Sequence, residues 1–355
     1  MMSLICLLRL SAQETDTTAC SKNCFKCCRP DAFAPAGIMT DHVHPKGEFG
    51  IAYGYMASEY KGNMSGTTTV SDEQIYFTKG YMMAPHLMRM QMHMLMPMYG
   101  ITDRLTAMAM FNYNVSDMNM HMMPMQTSMT GMAMDNTAGM PLRSASSGFG
   151  DTKLYLLYNL LGNCMHRLVF SGGVSLSSGN ISAKGATLQG NNDVLPYNMQ
   201  PGSGTYNLLP GIVYVGQTTH LTFGAAFSSN IKTGYNARNY QWGDEYSASP
   251  WLAYKIGSCA SVSVRAEYYR MEKMRGYDAT IHLLSGNDPS ANVFNYGMQQ
   301  RVGIFGGINL YMPGSVLRGM RLMAEYGTPV YQEMTGLQMP ATGFFTIRLQ
   351  YDIRK

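Results

Sequence analysis

Phe345, Ile347, Leu349, Tyr351 and Ile353 alternate with Thr346, Arg348, Gln350, Asp352 and Arg354, and Lys355 ends the chain. Successive side chains of a strand point to opposite faces, so this stretch predicts a closing β-strand with one apolar and one charged face. The pattern recurs. Ala260, Val262, Val264, Ala266 and Tyr268 oppose Ser261, Ser263, Arg265 and Glu267, and Leu221, Phe223, Ala225 and Phe227 oppose Thr222, Gly224, Ala226 and Ser228. Val302, Ile304, Gly306, Ile308 and Leu310 oppose Arg301, Gly303, Phe305, Gly307 and Asn309, and Phe49, Ile51, Tyr53 and Tyr55 form a fainter first copy. Twelve strands are expected, near 47–60, 86–100, 104–116, 149–161, 166–178, 204–216, 219–230, 245–256, 259–272, 297–311, 319–327 and 342–353. Pro97, Pro210 and Pro250 weaken three of these spans, because proline donates no ladder hydrogen bond.

Connection lengths turn the strands into a topology. Short links at 101–104, 162–165, 216–219, 257–258 and 313–315 alternate with long polar loops near 61–85, 117–147, 179–203, 231–244, 273–296 and 328–341. A water-soluble sandwich has no reason to sort its loops this way, whereas a transmembrane antiparallel β-barrel has short turns on the periplasmic side and long loops outside. The expected fold is therefore all-β, with apolar residues towards lipid and polar ones towards a wet interior. Arg265, Glu267, Arg301, Arg321, Glu325, Arg348 and Asp352 fall on the polar row and are candidate lumen-lining residues. Leu349→Arg should then be costly, and Gln350→Arg nearly neutral.

Composition narrows this further. Of 355 residues, 46% are hydrophobic and 14% charged, and the 37 Gly and 24 Tyr suit tight corners and interfacial rings. No stretch approaches the roughly 18 apolar residues of a membrane-spanning helix. Membrane residence must then come from a closed barrel, in which half of each strand faces water, so a mean hydropathy of -0.13 is no objection. A net charge of +4 with no basic run argues against nucleic-acid binding. Residues 1–13 (MMSLICLLRLSAQ) read as a secretory signal, residues 14–46 as an arm and 47–355 as the barrel, placed in a bacterial outer membrane.

The 34 methionines are the second anomaly, and more than half lie between Met82 and Met140. Met88, Met90, Met92, Met94, Met96 and Met98 alternate with Arg89, Gln91 and His93, which predicts a lipid-facing methionine row. Met108 and Met110 share a row with Thr106, Asn112 and Asn114 and are expected in the lumen. Met118, Met120, His121, Met122, Met123 and Met125 sit among Asp117, Asn119 and Gln126 with no evident core to fill. Thioethers select soft ions such as Cu(I), so this segment reads either as a metal-capture loop or as a merely Met-rich one. The arm offers other ligands in Cys20, Cys24, Cys27 and Cys28, followed by Asp41, His42 and His44. Its C-x3-C-x2-C-C spacing matches no zinc-finger template, and both metal binding and disulfides fit. Cys164 and Cys259 fall in separate short turns.

Three segments carry a resemblance: Ala34 to Tyr55 (APAGIMTDHVHPKGEFGIAYGY), Met82 to Tyr113 (MMAPHLMRMQMHMLMPMYGITDRLTAMAMFNY) and Ser146 to Tyr158 (SSGFGDTKLYLLY). They look like the bacterial outer-membrane transporter family labelled MetA-pathway of phenol degradation, in its Met/His-rich branch. The resemblance implies a channel-like barrel, and that branch resembles proteins associated with copper handling. No G-x-S-x-G elbow or H-E-x-x-H helix occurs, and the eight His are scattered, so an enzyme is not expected. Two functions remain. In one, the lumen passes small solutes with a bias towards soft metals; in the other, the arm and internal ion pairs plug the lumen and the chain sequesters metal at the cell surface. Lipid and a small solute or metal ion are the expected partners.

Overall fold

The computed structural model describes residues 29–124, 139–312 and 319–353. Its strands are β1 (Phe49–Lys61), β2 (Asn63–Gly66), β3 (Thr68–Val70), β4 (Met83–Thr102), β5 (Leu105–Met122), β6 (Pro141–Phe149), β7 (Lys153–Gly162), β8 (His166–Ser175), β9 (Lys184–Gly185) and β10 (Asp193–Val194). They continue with β11 (Asn207–Leu208), β12 (Gly211–Gln217), β13 (Leu221–Lys232), β14 (Tyr240–Gln241), β15 (Glu245–Ile256), β16 (Ala260–Met271), β17 (Arg275–Gly276), β18 (Gln299–Tyr311), β19 (Arg321–Gln338) and β20 (Ala341–Ile353).

Sixteen of these form one antiparallel sheet. It closes on itself because β1 pairs with β20, from Phe49 opposite Ile353 to Tyr60 opposite Ala341. β6 and β7 are halves of one stave against β5, broken at 150–152. β11 and β12 are likewise one stave, broken around Pro210, and β2 and β3 hang from the outer end of β19. The closed wall thus has twelve staves. Closure removes the free edges that would otherwise recruit other chains.

The prolines mark local gaps in the ladders rather than strand ends. Met96 and Pro97 have no partner on β5, although Leu95 opposite Phe111 and Met98 opposite Met108 keep register across the gap. Pro250 makes a similar gap between β15 and β16. Two sequence expectations fail on length. The segment near 328–341 is not a long loop, because β19 runs to Gln338 and turns tightly into β20. β5 likewise continues to Met122, six residues past its expected end. In both places the hydrogen-bonded ladder extends beyond the apolar band, which polar side chains permit once a neighbouring strand supplies backbone partners.

The outer surface carries the apolar rows. On β20, Phe345, Leu349, Tyr351 and Ile353 are 36–46% exposed while Thr346, Arg348, Gln350 and Asp352 are buried inside. Leu154, Leu156 and Tyr158 on β7, Leu252 and Tyr254 on β15, Val262 and Val264 on β16 and Ile304 and Ile308 on β18 are similarly exposed. No described helix is long and apolar enough to cross a membrane.

The methionine row of β4 faces the opposite way from the sequence expectation. Met88, Met94, Met96 and Met98 are 2–3% exposed in the interior, and Arg89, Leu95 and Tyr99 are exposed outside. A period of two separates two rows without saying which one faces in. Here the polar members of the outward row, Arg89, Gln91 and His93, occupy the upper part of a 20-residue strand, while Leu95, Pro97, Tyr99 and Ile101 supply its apolar band below. Arg89 pairs with Glu59 at 3.0 Å and His93 Nδ1 lies 2.8 Å from the Tyr53 hydroxyl, both on the outer surface.

Over the loop end of the barrel, Tyr197, Tyr240, Met274, Ile281, Leu284, Ala291, Val293 and Tyr296 form a core, with Trp242 packed on it. Ile281 belongs to α1 (Ala279–His282), capped by Asp278. Asp288 caps the following turn at 289–291 by accepting a 2.8 Å bond from Ser290 N. Burial pushes its carboxyl up to about 6, against the smaller opposing pull of the Ser290 bonds. Because the folded value lies above the unfolded one, the folded loop binds the proton more tightly. Its stabilisation is complete below about pH 4 and is lost as the pH rises through about 6, with a magnitude of at most about 3 kcal/mol. Protection factors across residues 279–296, that is exchange rates corrected for the intrinsic base-catalysed rise with pH, should therefore be higher at pH 4.5 than at pH 7.5, and Asp288→Asn should remove most of that difference in protection.

Candidate functional site in the barrel lumen

The lower lumen, at the end of the short turns, is filled by residues 29–44. The segment is rich in small apolar residues and carries few charges, so it has no strand or helix periodicity. It packs as an irregular plug. Ala32, Ala34 and Ala36 are at most 1% exposed, and Phe33, Ile38, Asp41, His42 and His44 are also buried. Such backbone needs partners, and the wall supplies them. Arg348 donates to Ile38 O at 2.7 Å, Arg321 to Arg29 O at 2.8 Å and Arg167 to Ala32 O at 3.3 Å. Gly37 N donates to Glu325 Oε2 at 3.0 Å, and Thr222 Oγ1 donates to Asp31 Oδ2 at 2.7 Å.

Asp41 is the polar centre of the plug. Its carboxylate accepts from Ala34 N at 2.8 Å, lies 2.9 Å from His42 Nδ1 and has Arg167 Nη2 at 3.9 Å. Burial alone would raise this carboxyl; His42, with Arg348 and Arg167, reverses the effect and holds it well below the usual carboxylate range. The His42 ring stacks on Phe33 at 4.1 Å, and its Nε2 lies 2.9 Å from Gln350 Nε2. Both ring nitrogens of His42 are thus engaged by the protein. His44 and Asp352 approach at 4.0 Å, and with Glu48 they form a buried group whose ligand-type atoms lie within 4.8 Å of one another. Where the plug joins β1, the backbone runs tightly over Gly100. A Cβ there would stand 2.0 Å from Pro45 O, so this position requires glycine.

Four of the charged wall residues form one connected set. Arg265 pairs with Glu325 at 2.8 Å and with Glu267 at 2.6 Å, and Arg301 reaches Glu267 at 3.2 Å. Arg321 lies over the Phe33 ring at 4.0 Å and Arg265 over Phe305 at 3.9 Å. Beside them on the neighbouring stave, paired with Arg265, Trp251 is 3% exposed and packs on Ala34 and Ile38 of the plug. Its ring passes over Gly224, where a Cβ would come within 2.3 Å.

Methionines line the rest of the interior in two groups. Met94, Met96, Met98, Met108 and Met110 pack around Ala52, with Met39 of the plug against them. Higher up, Met83, Met88, Met118, Met120 and Met199 pack with Leu195. Asn198 Nδ2 lies 3.5 Å from the Met88 sulfur and 3.9 Å from that of Met118. Between the two groups and the overlying loops lies a cavity of about 380 Å³, bordered by Met88, Met90, Met92, Asn114, Lys153, Glu245, Tyr269 and Arg301.

These positions redraw the groups read from the sequence. Cys20, Cys24, Cys27, Cys28 and Met125 lie outside the described residues. Asp41, His42 and His44, read from the sequence as ligands on the arm, are inside the barrel and bonded to its wall. Met118 and Met120 belong to β5 and fill an interior core at 0–1% exposure, contrary to a coreless loop. His121 falls on the outer row of the same strand and so points away from both. Met122 and Met123 are half-buried. Arg265, Glu267, Arg301, Arg321, Glu325, Arg348, Asp352, Met108 and Met110 are all interior. The sequence reading missed Arg29, Asp31, Arg167 and Trp251. Arg167 had a signal, since it alternates with Leu168 and shares a row with Ser171; the arm residues had none.

No protein-family model and no curated protein matches the chain. Among solved structures, the fold is similar to that of an outer membrane channel from Pseudomonas putida F1, with a TM-score of 0.55 and 14% identity over 88% of this chain and 97% of that one. At that identity the likeness is one of fold. Weaker alignments reach a FadL homologue of Pseudomonas aeruginosa (TM-score 0.41, 10% identity, 94% and 99% of the two chains) and the Ralstonia pickettii toluene transporter TbuX (0.42, 10%, 92% and 98%).

Proposed function

We propose that the protein is an outer-membrane channel for small solutes, closed in this state by its own N-terminal segment and biased by its interior thioethers towards soft metal ions, copper(I) above all. The observation that carries the channel reading is the sidedness of a closed wall, apolar outside and polar inside, around an interior filled by a non-covalent plug rather than by a continuous core. Such an outer surface is suited to lipid. The lumen charges are engaged with one another and with the plug, which favours passage or binding over catalysis.

The copper reading rests on the inward methionines. Thioethers bind Cu(I) in preference to harder ions, and the Met88 and Met118 sulfurs converge on one amide nitrogen that a cation could replace. Met82 to Tyr113 also resembles a Met/His-rich branch that is itself similar to proteins associated with copper handling. A second reading, passage of small apolar solutes, draws on the same residues, because methionine is also a flexible apolar lining. Titration of the detergent-folded chain with Cu(I) under reducing conditions separates the two. Met88→Leu with Met118→Leu keeps the bulk and removes two sulfurs. Weakening by about ten-fold or more is expected if the sulfurs are ligands, and unchanged binding would leave the apolar-solute reading. Recovery of the native chain in the outer-membrane fraction, with heat-modifiable migration, tests the setting itself.

A further inference from the structure

On the outside of the barrel, at its loop end, β4 breaks its own alternation. Met88 to Met98 point inward at even positions, yet Met83 and Pro85, at odd ones, also face the interior. The switch occurs at His86. Pro85 pairs with Met120 and Leu87 with Asn119, so His86 is an extra residue in the ladder. A bulge of this kind re-aims a side chain, and here it turns His86 outward. His121, on β5, is outward by ordinary alternation, since its neighbour Met120 is fully buried inside. The two imidazoles consequently stack, with ring centres 4.2 Å apart and an interplanar angle of 29°.

A carboxylate completes the group. Asp72 Oδ2 lies 3.6 Å from His86 Nε2 and 4.0 Å from His121 Nδ1, and the three ligand atoms lie within 4.8 Å of one another. Asp72 is held there by the segment after β3, whose Ile75, Tyr76 and Tyr81 pack on Ala84 and Leu337 against the outer wall. The Tyr76 hydroxyl donates to His121 O at 3.1 Å, and Gly62 N donates to His86 O at 3.0 Å, so the backbones carrying both rings are fixed. Among the described residues, neither ring makes a hydrogen bond. All three side chains are 36–44% exposed. The spacing is too long for direct hydrogen bonds and about 1 Å wider than the ligand separations around a bound zinc ion.

We propose that Asp72, His86 and His121 form an external binding site for a borderline divalent transition ion of the Zn2+ and Cu2+ class, held by two imidazoles and one carboxylate with further coordination positions open to the outside. Imidazole suits these ions, and side-chain rotations that bring the ligand atoms closer by about 1 Å would close the shell. The site is separate from the interior thioethers and does not depend on the channel reading. It differs from a soft-metal loop because sulfur takes no part.

The test is titration of the full detergent-folded chain with Co2+, a spectroscopic stand-in for Zn2+, followed by competition with Zn2+. The expected result is one ion bound with visible d–d bands and no near-ultraviolet thiolate charge-transfer band, and loss of that signal in His86→Ala and in His121→Ala. Asp72→Asn, a change in a surface segment, should weaken binding at least about ten-fold while heat-modifiable migration is retained; it serves if either histidine variant fails to fold. Undiminished Co2+ bands in folded His86→Ala or Asp72→Asn would overturn the site, as would a thiolate charge-transfer band in the wild type with no separate imidazole-carboxylate ion.

Discussion

Deletion of residues 29–44 should raise the conductance of the reconstituted barrel by about ten-fold or more over the intact chain. A twelve-stranded wall encloses a narrow interior, and the plug occupies it with buried alanines, Phe33 and Ile38 held by Arg167, Arg321 and Arg348. Without the plug those guanidiniums, and Glu325, regain water, so the wall keeps polar partners and stays folded. Planar-bilayer recording measures the change. Trp251 gives an independent reading, because the loss of Ala34 and Ile38 from its face should shift its emission to the red. Equal conductance in both forms would place the block in the loops above the cavity, and would favour metal sequestration over transport.

Two substitutions on adjacent residues of β20 should fail in different ways. Leu349→Arg puts a cation on the lipid side of a strand about midway through the apolar band and should cost roughly 2–4 kcal/mol of folding stability in bilayers. Gln350→Arg would be harmless in a water-filled lumen, which is how the sequence alone presents it. That expectation is corrected by the plug. Gln350 is 1% exposed, with its amide 2.9 Å from His42 and 3.0 Å from Asp352, so a longer side chain overfills a packed site at about 1–3 kcal/mol. The strain falls on a non-covalent plug and not on the ladder. Gln350→Arg should then release the plug, seen as raised conductance and red-shifted Trp251 emission, from a barrel that still migrates as folded; Leu349→Arg should lower barrel stability and leave the plug seated. Unfolding midpoints in liposomes, read beside the emission spectra, separate the outcomes.

The sequence disclosed the barrel because its physics is local. Alternation of period two on β16, β18 and β20, and the short turns between staves, follow from residues a few positions apart. The methionine row of β4 faces inward against the sequence expectation because Arg89, Gln91 and His93 are polar for their height on the wall, not for facing the lumen; strand length, which alternation does not encode, decides this. A plugging arm is one of two readings the sequence leaves open, but its seat and its contacts are not legible, for another reason. Residues 29–44 acquire order from wall groups hundreds of positions away, and an irregular segment leaves no periodicity to read. His86 shows the same limit on a small scale, since one extra residue in a ladder reverses its direction while the local sequence still alternates.

The plug also fixes an order of events during assembly. Its hydrogen bonds to the wall join residues far apart in the chain: Arg29 to Arg321 across 292 positions, His42 to Gln350 across 308 and Ile38 to Arg348 across 310. Those partners lie on β19 and β20, the last staves made, and β20 is also the stave that seals the wall against β1. Contacts of such long range form late. A segment that precedes every stave in the chain is therefore the last to find its place, and a barrel whose seam has not zipped has no seat for it.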